Sequence, residues 1–163
     1  MRSSSFGIIP DIAKKIEKDV LLDIFRRICL VRYFELEVIK AVKEKYITNF
    51  VYLSSGEETI PAAMSLVIPK FMIFAQHRCH AAYLSFGGNP EKLRDELLGL
   101  PSGTSGGRAG SNCIQCHENN ITMFGHHGLI GENVPQAVGA ALGSGKPVVT
   151  FFGDGAAEED YIY

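Results

Sequence analysis

Along the first third of the chain, Val20, Leu21, Ile24, Phe25, Ile28, Val31, Phe34, Val38, Ile39 and Val42 recur at steps of three and four. That spacing predicts one long amphipathic helix over 19–45, with Arg26, Arg27, Glu35 and Glu37 turned away from the apolar face. Asp19 stands where its N-cap would be. Ser55-Gly56-Glu57-Glu58 reads as a capping box, the serine oxygen taking the Glu58 amide while the Glu58 carboxylate reaches back. A helix dented by Pro61 is expected to follow. Residues 71–75 and 148–152 are continuous apolar runs, and each predicts a strand buried on both faces. Between them, Asn89-Pro90-Glu91 marks a helix start and Gly99 its stop. Residues 101–112, rich in glycine and serine, read as a linker-like loop. Residues 133–142 predict a helix packed closely through its glycine and alanines.

Apolar strands separated by helices predict an α/β fold, a parallel sheet with helices on both faces. The 163 residues suit a single domain, a helical arm over 1–50 followed by an α/β core over 51–163. In such sheets ligands bind outside the carboxyl ends of the strands. Two polar clusters fall at that edge, 76–80 and 153–156.

Charge narrows the field further. Sixteen Lys and Arg face eighteen Asp and Glu, a formal net charge of −2, which argues against nucleic acid or an anionic membrane surface as partner. No apolar run approaches a membrane span. The first residues carry no signal-peptide core, so the expected compartment is cytoplasmic and the four cysteines are expected to be thiols.

Each motif has more than one reading. In Gly153-Asp154-Gly155-Ala156-Ala157 a strand runs into a turn whose amides can face an anion, beside an aspartate suited to magnesium; alternatively Asp154 merely caps a helix. In His77-Arg78-Cys79-His80 the arginine can fork onto a phosphate with an imidazole beside it, or these are ordinary surface residues. Cys113-Ile114-Gln115-Cys116-His117 has the spacing of covalent haem attachment, with Met123 as a distal ligand; it could hold zinc with His126 and His127, or be a chance cluster. Gly143-Ser144-Gly145-Lys146-Pro147 is no phosphate loop, because Ala140 replaces the first glycine and Pro147 the magnesium-binding hydroxyl; it is a turn.

In order, these pieces resemble the α subunit of the thiamine-diphosphate-dependent 2-oxo acid dehydrogenases of the pyruvate and branched-chain type. The resemblance rests on Leu30-Val31-Arg32-Tyr33-Phe34-Glu35, Tyr52-Leu53-Ser54-Ser55-Gly56-Glu57-Glu58, Gln76-His77-Arg78-Cys79-His80 with Gly88, the run 128–141, and Gly153-Asp154-Gly155-Ala156-Ala157. It implies the three-layer thiamine diphosphate-binding fold and an oxidoreductase that decarboxylates a 2-oxo acid, with acyl transfer typically to lipoyl. It implies that Arg78, with His77 in the place of the family's tyrosine, holds the diphosphate, and that backbone atoms of Gly128 and Ile130 hold the aminopyrimidine over the Ile130 side chain. Asp154 would ligate magnesium, while Gly153 opens the turn whose Gly155 and Ala156 amides reach the diphosphate. No catalytic residue is assigned by the resemblance; His80, at the same strand end, is a candidate. The implied partners are a β subunit supplying the catalytic glutamate in an α2β2 assembly, and a lipoyl acyltransferase.

The departures are equally specific. The family's Gly-Ser-Met-His reads Gly110-Ser111-Asn112-Cys113, and its Asn-Asn pair and later histidine loop would fall past Tyr163. The chain therefore resembles an amino-terminal half and an incomplete domain, expected to be marginal or aggregating without its partner. A non-catalytic remnant or interaction module of the same fold is the alternative, followed by the haem or zinc reading of Cys113, Cys116 and His117.

Overall fold

The apolar repeat winds into α1, Lys18–Lys43, in a computed structural model that describes residues 15–68, 72–118, 121–125 and 127–163. The expected cap moves by two residues: Glu17 occupies the N-cap, and Asp19 lies in the first turn, where its charge suits the helix dipole. The apolar face is not all buried. Val31, Glu35 and Val38 form the buried seam of α1, so Glu35 belongs to the packed stripe rather than to a solvated face.

The capping box does not form. Helix α2, Thr59–Val67, starts from Glu58 in helical geometry, and the Ser55 hydroxyl donates to Glu35 instead. The Glu58 carboxylate accepts the Gly56 amide at 2.8 Å and the Arg32 guanidinium at 2.6 Å. Pro61 lies in the first turn, where its missing N–H has no helical acceptor to lose, and the helix needs no dent.

Strand β1, Met72–Phe74, leads to a short buried helix α3, His80–Ser85, which the sequence pattern did not reveal. Phe71 of the expected strand lies outside the described residues. Helix α4, Pro90–Leu97, is capped as expected, the Asn89 side chain accepting the Glu91 and Lys92 amides at 2.7 and 3.3 Å. Strands β2, Cys116–Glu118, and β3, Ile121–Phe124, come next, then α5, Asn133–Ser144, closed by Gly145 in the left-handed region. Strand β4, Val148–Thr150, helix α6, Asp154–Ala157, and a 3-10 turn, Asp160–Ile162, complete the order.

The sheet has the order β2-β3-β1-β4. Central β1 is parallel to β3 and to β4, while β2 and β3 pair antiparallel, so the sheet is mixed rather than wholly parallel. The edge strands are only partly buried, and 148–152 is accordingly not a strand enclosed on both faces. Around β1 the core joins Val31, Ile73, Tyr83, Leu93, Ile114 and Met123. No helix among the described residues is long and apolar enough to cross a membrane.

The 101–112 stretch is no linker: it wraps the buried Glu96 carboxylate, which accepts the amides of Ser105, Gly107, Ala109 and Gly110 at 2.7, 2.9, 2.7 and 3.2 Å. Gly107 is required there twice over, by a φ of +73° and because a Cβ would stand 2.5 Å from the Gly99 carbonyl carbon. Helix α5 is not packed through its glycines, since a Cβ on Gly139 or Gly143 would meet nothing within 4 Å.

Candidate functional site

Register places three loops at one edge of the sheet. Phe74 of β1 is opposite Phe124 of β3 and Thr150 of β4, all running in the same direction. Arg78, Gly128 and Asp154 each stand four residues beyond those partners. The two polar clusters read from the sequence thus share an edge, and β3 adds the 127–132 turn between them in sequence. The edge is tied together by Asn133, which is buried at the start of α5. Its side chain accepts from Gln76 Nε2 at 2.6 Å and donates to Thr150 Oγ1 and the Phe151 carbonyl at 3.0 and 3.1 Å. Asn133 therefore joins the ends of β1 and β4, a role its sequence position did not disclose.

The individual residues differ in what they offer. Arg78 is exposed and donates one N–H to the Leu53 carbonyl at 2.7 Å, leaving the rest of its guanidinium fork without a partner among the described residues. His77 meets the Tyr52 ring edge-on at 5.0 Å; partial burial, and then the neighbouring Arg78 charge, hold its pKa below the ordinary imidazole value. Asp154 is not a cap: Gly153 occupies that position, and the exposed Asp154 carboxylate takes no hydrogen bond or ion pair from the described residues. A Cβ on Gly153, Gly155 or Gly128 would meet nothing within 4 Å, so this face of the edge is open, while Ala156 is buried behind it. The Ile130 side chain is part-exposed, and its carbonyl accepts the Tyr161 hydroxyl.

His80 is not at the open edge. It is fully buried, with Nδ1 3.2 Å from Glu35 Oε1 and Nε2 2.9 Å from Ser111 Oγ. Both ring nitrogens are satisfied and sealed from solvent, so His80 is a buried structural group rather than a residue at the open edge where catalysis was expected of it. Glu35 also accepts the Ser54 amide at 2.6 Å and the Ser55 hydroxyl at 2.7 Å. Burial alone would raise its pKa, but the His80, Ser54 and Ser55 hydrogen bonds outweigh burial and hold it below the usual carboxylate range.

The cysteine motif does not converge. Cys116 is buried on β2, and the next residue, His117, points to the opposite, exposed face, where Nδ1 lies 2.8 Å from Thr122 Oγ1. Met123, directly across from Cys116, is a core residue. Burial pushes the Cys116 thiol up to about 11 and Cys79 up to about 12, as packing in the core should. Among the described residues no group of three or more His, Cys, Asp or Glu is placed to hold a metal, and His126 lies outside them.

A family model for the dehydrogenase E1 component matches residues 26–163. The chain is 32% identical over 149 residues to pyruvate dehydrogenase E1 component subunit alpha-1, mitochondrial, of Arabidopsis thaliana, covering 88% of this chain and 38% of that protein. The corresponding mitochondrial alpha subunit of Chaetomium thermophilum is 28% identical over 160 residues, 94% of this chain and 38% of its own length. An alpha subunit of Zymomonas mobilis is 27% identical over 154 residues, 90% and 43% respectively. The chain spans about two fifths of the length of these relatives.

Proposed function

The chain belongs to the dehydrogenase E1 component family, and from that premise we propose that its open sheet edge anchors the diphosphate and magnesium of thiamine diphosphate in a 2-oxo acid dehydrogenase α subunit. The observation that carries the reading is the common register of Arg78, Gly128 and Asp154 at the ends of three parallel strands. The donor set fits the group. Arg78 presents a fork for phosphate oxygens, and Asp154 offers a hard oxygen ligand unpartnered among the described residues. Magnesium is commonly held by one or two carboxylates with phosphate oxygens and water, so a single aspartate beside a diphosphate is a sufficient protein contribution. Glycines 153 and 155 leave room for close approach to the backbone.

When bound, thiamine diphosphate supplies the nucleophilic carbon and electron sink that decarboxylation of a 2-oxo acid needs. This chain's part is to bind and orient. Arg78, with His77 beside it, neutralises and fixes the diphosphate; Asp154 fixes the metal; the Gly155 and Ala156 amides complete the diphosphate contacts. Gly128 and Ile130 offer backbone atoms to the aminopyrimidine, with the Tyr161 hydroxyl occupying the Ile130 carbonyl and leaving its amide for that role. The activating glutamate belongs to a β subunit and the acyl acceptor to a lipoyl acyltransferase in the same proposal. So does a reducing compartment, the cytoplasm, for a chain whose four cysteines are free thiols. The test is to assay the α/β assembly for carbon dioxide release from 2-oxo acids. Release that needs both thiamine diphosphate and Mg2+ is expected; cofactor binding without turnover of any 2-oxo acid would leave only the interaction-module alternative.

A further inference from the structure

Arg78 is exposed, and an exposed arginine carries rotamer freedom that an anion-binding fork must give up. The structure reduces that freedom from both ends of the residue. Arg78 Nη1 is held on the Leu53 carbonyl at 2.7 Å, and the Arg78 carbonyl accepts the Ser54 hydroxyl at 3.2 Å. The same Ser54 oxygen accepts the Ala81 amide at 3.2 Å, so one hydroxyl bridges the turn in which Arg78 sits. The segment 52–55 is thus the template for Arg78, although as a stretch without helix or strand it has little rigidity of its own.

Its rigidity comes from buried groups. Glu35 accepts the Ser54 amide at 2.6 Å through one oxygen and the Ser55 hydroxyl at 2.7 Å through the other. Ser111 accepts the Tyr52 amide at 3.0 Å. His80, two residues beyond Arg78, links the two anchors, 3.2 Å from Glu35 and 2.9 Å from Ser111. Glu35 and His80 are fully buried and Ser111 nearly so, and none reaches the open edge. A buried carboxylate is costly unless its partners use it well, and here every partner borders the Arg78 template.

We propose that Glu35 is a positioning residue for the anion-binding fork of Arg78, acting through Ser54 and the 53–55 backbone. The proposal rests on the reading of Arg78 as the diphosphate contact. Supporting groups of this kind preorganise a binding group, so their loss weakens binding without touching the ligand.

A double-mutant cycle tests it in the complete α/β assembly. Thiamine diphosphate and, separately, inorganic pyrophosphate are titrated with Mg2+ into wild type, Arg78→Ala, Glu35→Gln, Ser54→Ala, Glu35→Gln/Arg78→Ala and Ser54→Ala/Arg78→Ala, with a thermal melt of each. Arg78→Ala is expected to weaken binding at least about tenfold, as loss of a charge-assisted contact should. Glu35→Gln and Ser54→Ala are each expected to weaken it by about threefold or more in the wild-type background and by under about twofold once Arg78 is gone. Turnover at saturating cofactor should recover in both single variants, so that KM for the cofactor rises while kcat holds. A lowered melting temperature with unchanged affinity, or an equal affinity loss in both backgrounds, overturns the proposal. Should Glu35→Gln not fold, the Ser54→Ala cycle decides alone. If Arg78→Ala itself leaves both affinities unchanged, the diphosphate reading fails first and the positioning role with it, an outcome separable from the others.

Discussion

Two buried carboxylates, Glu35 and Glu96, organise more of this chain than their solvated neighbours, and neither declares its place by residue type. Glu35 could have been read from spacing, since it lies four residues after Val31 and three before Val38, on the stripe itself. Glu96 could not, because its four amide donors come from a loop whose glycines and serines spell flexibility when read alone. Glu96→Ala should leave those amides without an acceptor and destabilise the chain by about 3–5 kcal/mol, with proteolysis opening first within 101–112. A variant as stable and protease-resistant as wild type would show that water replaces the carboxylate. Titration gives a second expectation. Glu35 and Glu58 have folded pKa values below the unfolded carboxylate value of 4.5, Glu35 because its hydrogen bonds outweigh burial and Glu58 chiefly through Arg32. Their stabilisation is therefore complete above the unfolded value and lost as pH falls through the folded ones. Acid-unfolding curves should show stability falling on acidification through that window, less steeply in Glu35→Gln; a stability that rises as pH falls would contradict it. Among the thiols, alkylation at mildly alkaline pH should reach Cys29 before Cys79 and Cys116, whose pKa values burial raises to about 12 and about 11. Mass spectrometry of the modified peptides gives the order.

At the scale of elements, local chemistry was legible where a residue acts on its own neighbourhood. Asn89 caps α4, Gly99 and Gly145 stop helices in the left-handed region, and the apolar runs locate β1 and β4. What stayed hidden depends on partners distant in sequence. Ser55 gives its hydroxyl to Glu35 rather than to the Glu58 amide, so a well-formed capping-box pattern yields no box. The β2–β3 pair makes the sheet mixed; its alternating Ile121-Thr122-Met123-Phe124 carries the period of a half-buried strand, which a search for continuous apolar runs passes over. Asn133 is the clearest case of an element joined by a side chain. Asn133→Ala removes the link between Gln76 and the Thr150–Phe151 strand end, and should cost about 2–3 kcal/mol. It should also weaken magnesium-dependent cofactor binding, because Arg78 and Asp154 lie in the segments that follow the two strands it joins. Unchanged stability and affinity would mean that main-chain pairing alone holds the edge.

At the scale of the whole molecule, several large apolar side chains lie exposed. Phe25 on α1, Phe50 and Val67 before the sheet, and Leu142 on α5 are 62%, 87%, 76% and 81% exposed. Large apolar side chains this exposed are candidates for cover by other protein, and the chain spans about two fifths of the relatives it matches. Alone, it should bind a hydrophobic dye and associate with rising concentration, both of which should vanish in an assembly with the proposed β subunit; a dye-silent, cooperatively melting monomer would contradict that. The proposed cofactor site is the open edge itself. Its most direct test is calorimetric titration of thiamine diphosphate with Mg2+ into the α/β assembly carrying wild-type or Asp154→Asn chain. Tight wild-type binding, with the Mg2+ requirement raised at least about tenfold in the variant, is the predicted result. Wild-type binding that ignores the substitution, or no binding in the wild-type assembly, would contradict it.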